Sequence, residues 1–173
     1  KSIDLSMPIS KDEITEKIEE LLFWRADKTS EVGIRLLMTG GYSANSFNAP
    51  ENPNFLIRIE DLNPKPTNDY EQGVKVITHQ YQRELPEIKT TNYSRALIIQ
   101  KAMQVQKAVD ALYHLDGNIS ECTRNNFFLF KGNTLVTPKN NILRGITRKT
   151  VLELAANKFQ IEERDIYLEE LWA

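Results

Sequence analysis

The chain has 173 residues, 40% hydrophobic and 27% charged, with a net charge of -2. That composition is ordinary for a folded globular chain able to bury a core, as one domain or two small ones. It gives no basis for a nucleic-acid or acidic-membrane partner, and no apolar run approaches the roughly 20 residues a bilayer span needs.

The single cysteine, Cys122, excludes an internal disulfide, and the opening K-S-I-D-L-S-M lacks the apolar core of a signal peptide. A reducing, cytoplasmic compartment is therefore expected. In chain order, Ser10-Lys11-Asp12-Glu13 has the pattern of a capping box. Ile14, Ile18, Leu21 and Leu22 follow at helical spacing, which predicts a helix over 11–24. Gly33 to Thr39 reads as a strand stopped by Gly40-Gly41, and Phe55 to Ile59 reads as a second. Between them, the Asn-, Pro- and Ser-rich stretch from Tyr42 to Asn54 is predicted as loop. These pieces form one small α/β unit, 1–61.

Asn63-Pro64-Lys65-Pro66 sits in the best candidate linker, 62–69, because paired prolines block regular structure and stiffen the chain. A larger unit over 70–173 follows. Gly73 to Thr78 is predicted as a strand, and Pro86 breaks the chain just before Lys89. A helix after Tyr93 is predicted to bury Ile98, Ala102, Val105 and Val109. Two hairpins follow, turning at Asp116-Gly117-Asn118 and at Lys131-Gly132-Asn133. After a loop from Thr137 to Arg144, a helix from about Thr147 is predicted to bury Val151, Leu154, Ala155 and Phe159. A last helix is expected over 162–172. The larger unit thus reads as an antiparallel sheet with packed helices, and the whole as α+β.

Three features could carry chemistry. Lys89 lies in a short strand-to-helix connection, and a deprotonated lysine condenses with aldehydes, although most such lysines are solvated charges. Glu121 ends an apolar hairpin strand; buried, it needs a cationic or hydrogen-bonding partner, whereas exposed it would be only a strand end. Gly145-Ile146-Thr147 opens a helix, where a glycine admits a ligand and free amides favour phosphate, although Gly and Thr begin many helices for capping alone. His79 and His114 show no metal-ligand spacing and read as structural, as Phe127, Phe128 and Phe130 read as core.

Together and in this order, K-T-T-N-Y at 89–93, D-G-N-I-S-E ending at Glu121, Asn126-Phe127-Phe128 and L-R-G-I-T-R at 143–148 are specific. The stretch resembles the class IV, fold type IV pyridoxal-phosphate aminotransferases, which include branched-chain and D-amino-acid aminotransferases, with aminodeoxychorismate lyase as a relative. Weaker likeness covers nearly the whole chain. The resemblance implies a pyridoxal 5'-phosphate cofactor, with Lys89 as the lysine that holds its aldehyde and Tyr93 bonding its phenolic oxygen. Glu121 would pair with the ring nitrogen and Leu143 would pack on the ring. Gly145, Ile146 and Thr147 would cradle the phosphate.

The implied activity is amino-group exchange between an amino acid, branched-chain-like or D-, and a 2-oxo acid, in a homodimer. Cys122 stands where the family usually has glycine, and Arg124 where it usually has a small residue. Pointing inward, Arg124 could bind a substrate carboxylate; pointing outward, it is a solvated charge. The family's early strands and late phosphate loop have no counterpart. Two other readings follow: a carbon–carbon lyase of the aminodeoxychorismate type, and a truncated remnant that keeps the fold without its chemistry.

Overall fold

The computed structural model describes residues 5–28, 30–45, 47–48, 52–62, 64 and 66–172. The chain divides into two compact units, Lys1–Pro66 and Thr67–Ala173. In the first, α1 (Lys11–Trp24) opens with the expected reciprocal cap. The Glu13 amide donates to Ser10 Oγ at 3.2 Å, and the Ser10 amide donates to Glu13 Oε2 at 2.7 Å. Strands β1 (Val32–Thr39) and β2 (Asn54–Asp61) pair antiparallel along their whole length, from Val32 opposite Asp61 to Thr39 opposite Asn54. Asn63 and Lys65 of the expected linker lie outside the described residues.

The second unit begins with a five-residue helix, α2 (Asn68–Gln72), so Asn68 and Asp69 are helical rather than linker. Gly73 ends it with φ 74, a conformation that stops a helix at low steric cost for glycine alone. The expected strand is therefore displaced to β3 (Val76–Gln80). After an irregular segment, α3 (Ser94–Val105) crosses to β4 (Asp110–Leu115), which pairs parallel to β3 and antiparallel to β5 (Asn118–Cys122). The β4–β5 turn needs positive φ at both Asp116 and Gly117, 48 and 83.

A second sheet repeats the pattern. Strand β6 (Leu129–Lys131) forms the predicted hairpin with β7 (Thr134–Thr137), then α4 (Ile146–Ala155) leads to β8 (Gln160–Glu163), parallel to β7. The expected helix over 162–172 is thus corrected: its start belongs to β8, and only Leu168–Leu171 coils, as a 3-10 turn. Ile161 faces Leu135 in the ladder, so its apolar residue is satisfied by a sheet partner instead of a helical stripe. Each larger-unit sheet is an antiparallel hairpin plus one parallel strand, not purely antiparallel.

Strand β4 is buried on both faces, which sorts its residues by parity. Leu112 joins Ile119, Cys122, Val136 and Ile166 in the main core, against which Phe127 packs. Ala111 and Tyr113 pack with Ile99 of α3 and half-buried Met103. The helical period of α3 was readable but its phase was one residue off: Ile99 is 5% exposed, whereas Ile98, Val105 and Val109 are 67%, 76% and 57% exposed. Ala102 also faces out, and Lys107 turns the chain with φ 55 before Val109. On α4, Val151, Ala155 and nearby Phe159 are half-buried, Leu154 faces out, and the buried residue is Arg148. Phe130 leaves the core too: it is exposed and meets Phe159 edge-on at 5.0 Å.

Candidate active site

The irregular segment after β3, the start of α3, the end of β5 and the approach to α4 converge on one open pocket of about 610 Å³, its solvent-facing part included. Lys89, Tyr93, Glu121, Leu143 and Arg124 all line it, together with Arg83, Asn126 and Tyr113. Residues as far apart in the sequence as Arg83 and Leu143 therefore share one pocket.

Glu121 is its most constrained member. It is 4% exposed, so the bland reading as an exposed strand end is excluded. Its Oε1 accepts from Arg83 Nη1 at 2.8 Å. Its Oε2 accepts from the Leu143 amide at 3.0 Å and from Asn126 Nδ2 at 3.3 Å. A carboxylate offers about four acceptor positions, so these three donors leave capacity for one more, on a group that lines the pocket.

By contrast, the side chains of Lys89, Tyr93 and Arg124 make no hydrogen bond or ion pair with the described residues. Lys89 and Arg124 are exposed, and Tyr93 is 41% exposed at the N-terminal boundary of α3. Arg124 sits at the tip of a tight turn closed by the Cys122 amide donating to Asn125 O at 2.8 Å. Buried Asp110 pins both flanks of that turn: Oδ1 accepts from the Thr123 amide at 3.1 Å and Thr123 Oγ1 at 2.6 Å, and Oδ2 from Asn125 Nδ2 at 2.6 Å. The Tyr113 phenol beside them is pushed up to about 12, by burial first and then by Tyr81 and Asp110, and stays protonated at neutral pH.

Gly145, Ile146 and Thr147 do not line this pocket. Gly145 is the N-cap of α4 and carries an ordinary φ of -63, so backbone conformation is not what calls for glycine. Packing is: a Cβ there would lie 2.6 Å from Asn126 Oδ1. Asn126 in turn donates to Leu143 O at 2.7 Å, which ties the start of α4 to Glu121. Among the described residues no side chain caps α4, and Ile146 and Thr147 are exposed, leaving first-turn amides able to meet an anion.

Sequence reasoning missed Arg83 and Asp110, and it quoted Asn126 without a role. The available signals were slight: an arginine just past a strand, and an acid opening an apolar strand. His79 is half-buried beside Tyr113, and among the described residues no group of three metal-binding side chains occurs.

The donor set fits pyridoxal phosphate. A buried carboxylate with an acceptor position to spare suits a ring nitrogen, an unpaired lysine suits an aldehyde, and an uncapped helix end suits a phosphate. The fold is that of the fold type IV pyridoxal-phosphate enzymes. A Legionella pneumophila structure, described as a candidate 4-amino-4-deoxychorismate lyase, matches with a TM-score of 0.84 over 98% of this chain and 64% of that one, at 23% identity.

The family model for class IV amino-transferases matches residues 1–173, and the chain belongs to that family, whose members depend on pyridoxal phosphate. A Rickettsia typhi protein described as a probable branched-chain-amino-acid aminotransferase is 32% identical over 165 residues, 91% of this chain and 56% of its own length. A D-alanine aminotransferase of Listeria monocytogenes is 27% identical over 175 residues, 98% of this chain and 61% of its own length. The chain thus spans about 56–61% of these relatives.

Proposed function

We propose that this protein is a pyridoxal-phosphate aminotransferase exchanging an amino group between an amino acid, branched-chain-like or D-, and a 2-oxo acid. The observation that carries the reading is the buried Glu121 carboxylate, sharing one pocket with Lys89, Tyr93 and Leu143. When bound, the cofactor supplies an aldehyde that takes up the amino group and an electron-poor ring that accepts the electron pair released at the substrate Cα.

The chain's residues then have these roles. Lys89 would hold the cofactor through its aldehyde, and its Nζ would be the base at the substrate Cα. Glu121 would hold a proton on the ring nitrogen, and the Tyr93 hydroxyl would bond the ring's phenolic oxygen. Leu143 would pack on the ring face. The amides of Ile146 and Thr147, with the Thr147 hydroxyl, would hold the phosphate, while Gly145 lets Asn126 brace that end. Arg124, on the pocket lining and without a bonding partner among the described residues, would bind the substrate carboxylate. Residues 1–61 are read as part of the small domain and 70–173 as part of the large, cofactor-binding one, joined by the linker at 62–69, in a homodimer.

Borohydride reduction of the protein mixed with pyridoxal phosphate, followed by peptide mass mapping, tests the site. A phosphopyridoxyl group on Lys89 is expected; label scattered over other lysines with Lys89 untouched would sink the reading and favour the noncatalytic remnant. A donor panel in both chiralities then sets the substrate. The lyase reading has the Legionella fold neighbour in its favour. It predicts pyruvate release from aminodeoxychorismate without amino transfer.

A further inference from the structure

We infer that Arg83 is a positioning residue, one that locks the Lys89 segment to the Glu121 carboxylate and so sets the two ends of the reaction centre against each other. Its guanidinium makes three contacts that no other side chain in the pocket duplicates. Nη1 donates to Glu121 Oε1 at 2.8 Å and to Pro86 O at 3.2 Å, and Nη2 donates to Ile88 O at 2.7 Å. Ile88 immediately precedes Lys89, so one of the three bonds falls on the residue before the amine. The side chain of Arg83 is 16% exposed and that of Glu121 6%, which keeps water from substituting freely for these bonds.

The segment held in this way has little else to hold it. Residues 81–93 contain neither helix nor strand. The segment's first residue is tied to β4, the Tyr81 amide donating to His114 O at 2.9 Å. Leu85, however, carries φ 43, an uncommon backbone state for a branched residue, and the main-chain bonds around it are short-range: the Ile88 amide to Leu85 O at 3.0 Å and the Thr90 amide to Ile88 O at 3.0 Å. These local turns shape the loop but do not attach it to β5. Arg83 does, across 38 residues of sequence. Two of its contacts are carbonyls and one is a carboxylate, a set that the planar five-donor guanidinium satisfies and an ammonium on a flexible stem cannot reproduce as a unit. Charge and geometry therefore separate: a lysine at this position keeps a cation beside Glu121 but loses the staple on the two carbonyls.

The inference rests on Lys89 and Glu121 acting as proposed above, and the experiment distinguishes the two failures. The wild-type protein, R83K and R83M are compared for three properties. These are pyridoxal-phosphate affinity by titration, the position of the visible absorbance band of the bound cofactor, and the rate of borohydride labelling at Lys89. Hydrogen exchange of segment 85–90 is measured without cofactor.

R83K is expected to keep the wild-type band while labelling Lys89 about tenfold more slowly and exchanging faster at 85–90. R83M is expected to lose at least tenfold in affinity and to move the band, with circular dichroism still reporting a folded protein. A merely structural arginine would lower the melting temperature of both variants without separating them in this way. If R83M is too unstable to purify, R83K decides alone, and wild-type labelling and exchange in it overturn the inference. Wild-type protein labelled at Lys89, with both variants indistinguishable from it, overturns the role of Arg83 and leaves the functional reading standing. Failure of wild-type protein to label at Lys89 overturns both.

Discussion

The main-chain amide of Leu143 donates to Glu121 Oε2 at 3.0 Å, so the carboxylate at the end of β5 is oriented by the backbone leading into α4. With Asn126 Nδ2 on the same oxygen and Arg83 on the other, all three neighbours of Glu121 are donors. A glutamine cannot serve three donors on two atoms, because one of those atoms becomes an NH2. Glu121→Gln is therefore expected to turn one contact donor against donor and to leave the Arg83 cation without its partner. We expect a loss of about 2–4 kcal/mol in cofactor-free stability, the cost of stranding a buried charge or donor. Urea unfolding of the apo-protein measures it, and a change below about 0.5 kcal/mol, the scale of a surface substitution, would contradict the buried network.

Gly145 gives a second test, independent of charge. Its missing Cβ leaves room for Asn126 Oδ1, and Asn126 cannot swing away without breaking its bond to Leu143 O. Gly145→Ala should destabilise by about 1–3 kcal/mol, as overpacking does. Shortening the neighbour should remove the clash, so the penalty for Gly145→Ala in an Asn126→Ala background should be markedly smaller. Equal penalties in both backgrounds, read by chemical denaturation, would mean that something other than Asn126 requires the glycine.

These two contacts show where the sequence was legible and where it was not. The capping box of α1, the hairpin turns at Gly117 and Gly132 and the order of the site residues are local, and each could be read from neighbouring letters. The phase of α3 was not local: Ile98 and Ile99 are equivalent in the sequence, and only the sheet beneath, through Ala111 and Tyr113, selects Ile99. Likewise β8 has a single apolar residue in its four and exists because β7 offers an edge. Arg83 and Asp110 escaped notice for the same reason, since their side-chain partners lie 38 and 13–15 residues away. Glu121 was legible as a candidate, but its burial was not.

The pH dependence of stability should carry a signature from His79. Its Nε2 is buried without a partner among the described residues, and burial, followed by the nearby charges of Arg95 and His114, lowers its pKa below the ordinary 6.5. The unfolded chain then binds a proton more readily than the folded one, so stability rises with pH across this range. The contribution of neutral His79 is fully present above about pH 6.5, the ordinary histidine value, and is lost as the pH falls below it. His79→Phe, which fills a similar space without titrating, should flatten the decline in urea midpoint between pH 7.5 and 5.5. A variant that declines as steeply as the parent would assign the pH dependence to other groups.

Arg124 separates substrate recognition from stability. It lines the pocket, is exposed and has no bonding partner among the described residues, while Asp110 holds the turn that carries it by bonds to Thr123 and Asn125 rather than to Arg124. Arg124→Ala should therefore change folding stability by no more than about 0.5 kcal/mol, as surface substitutions do. A guanidinium facing a carboxylate makes a charge-assisted, geometrically matched pair, and losing one of about 1.5–3 kcal/mol corresponds to a rise in KM of roughly ten- to a hundredfold. The rise should appear for every amino-acid donor, whereas a primary amine lacking a carboxylate should react with the variant as it does with the parent. If both kinds of donor lose activity alike, Arg124 shapes the pocket instead of gripping the carboxylate. If neither does, the side chain is a solvated charge and the carboxylate is held elsewhere.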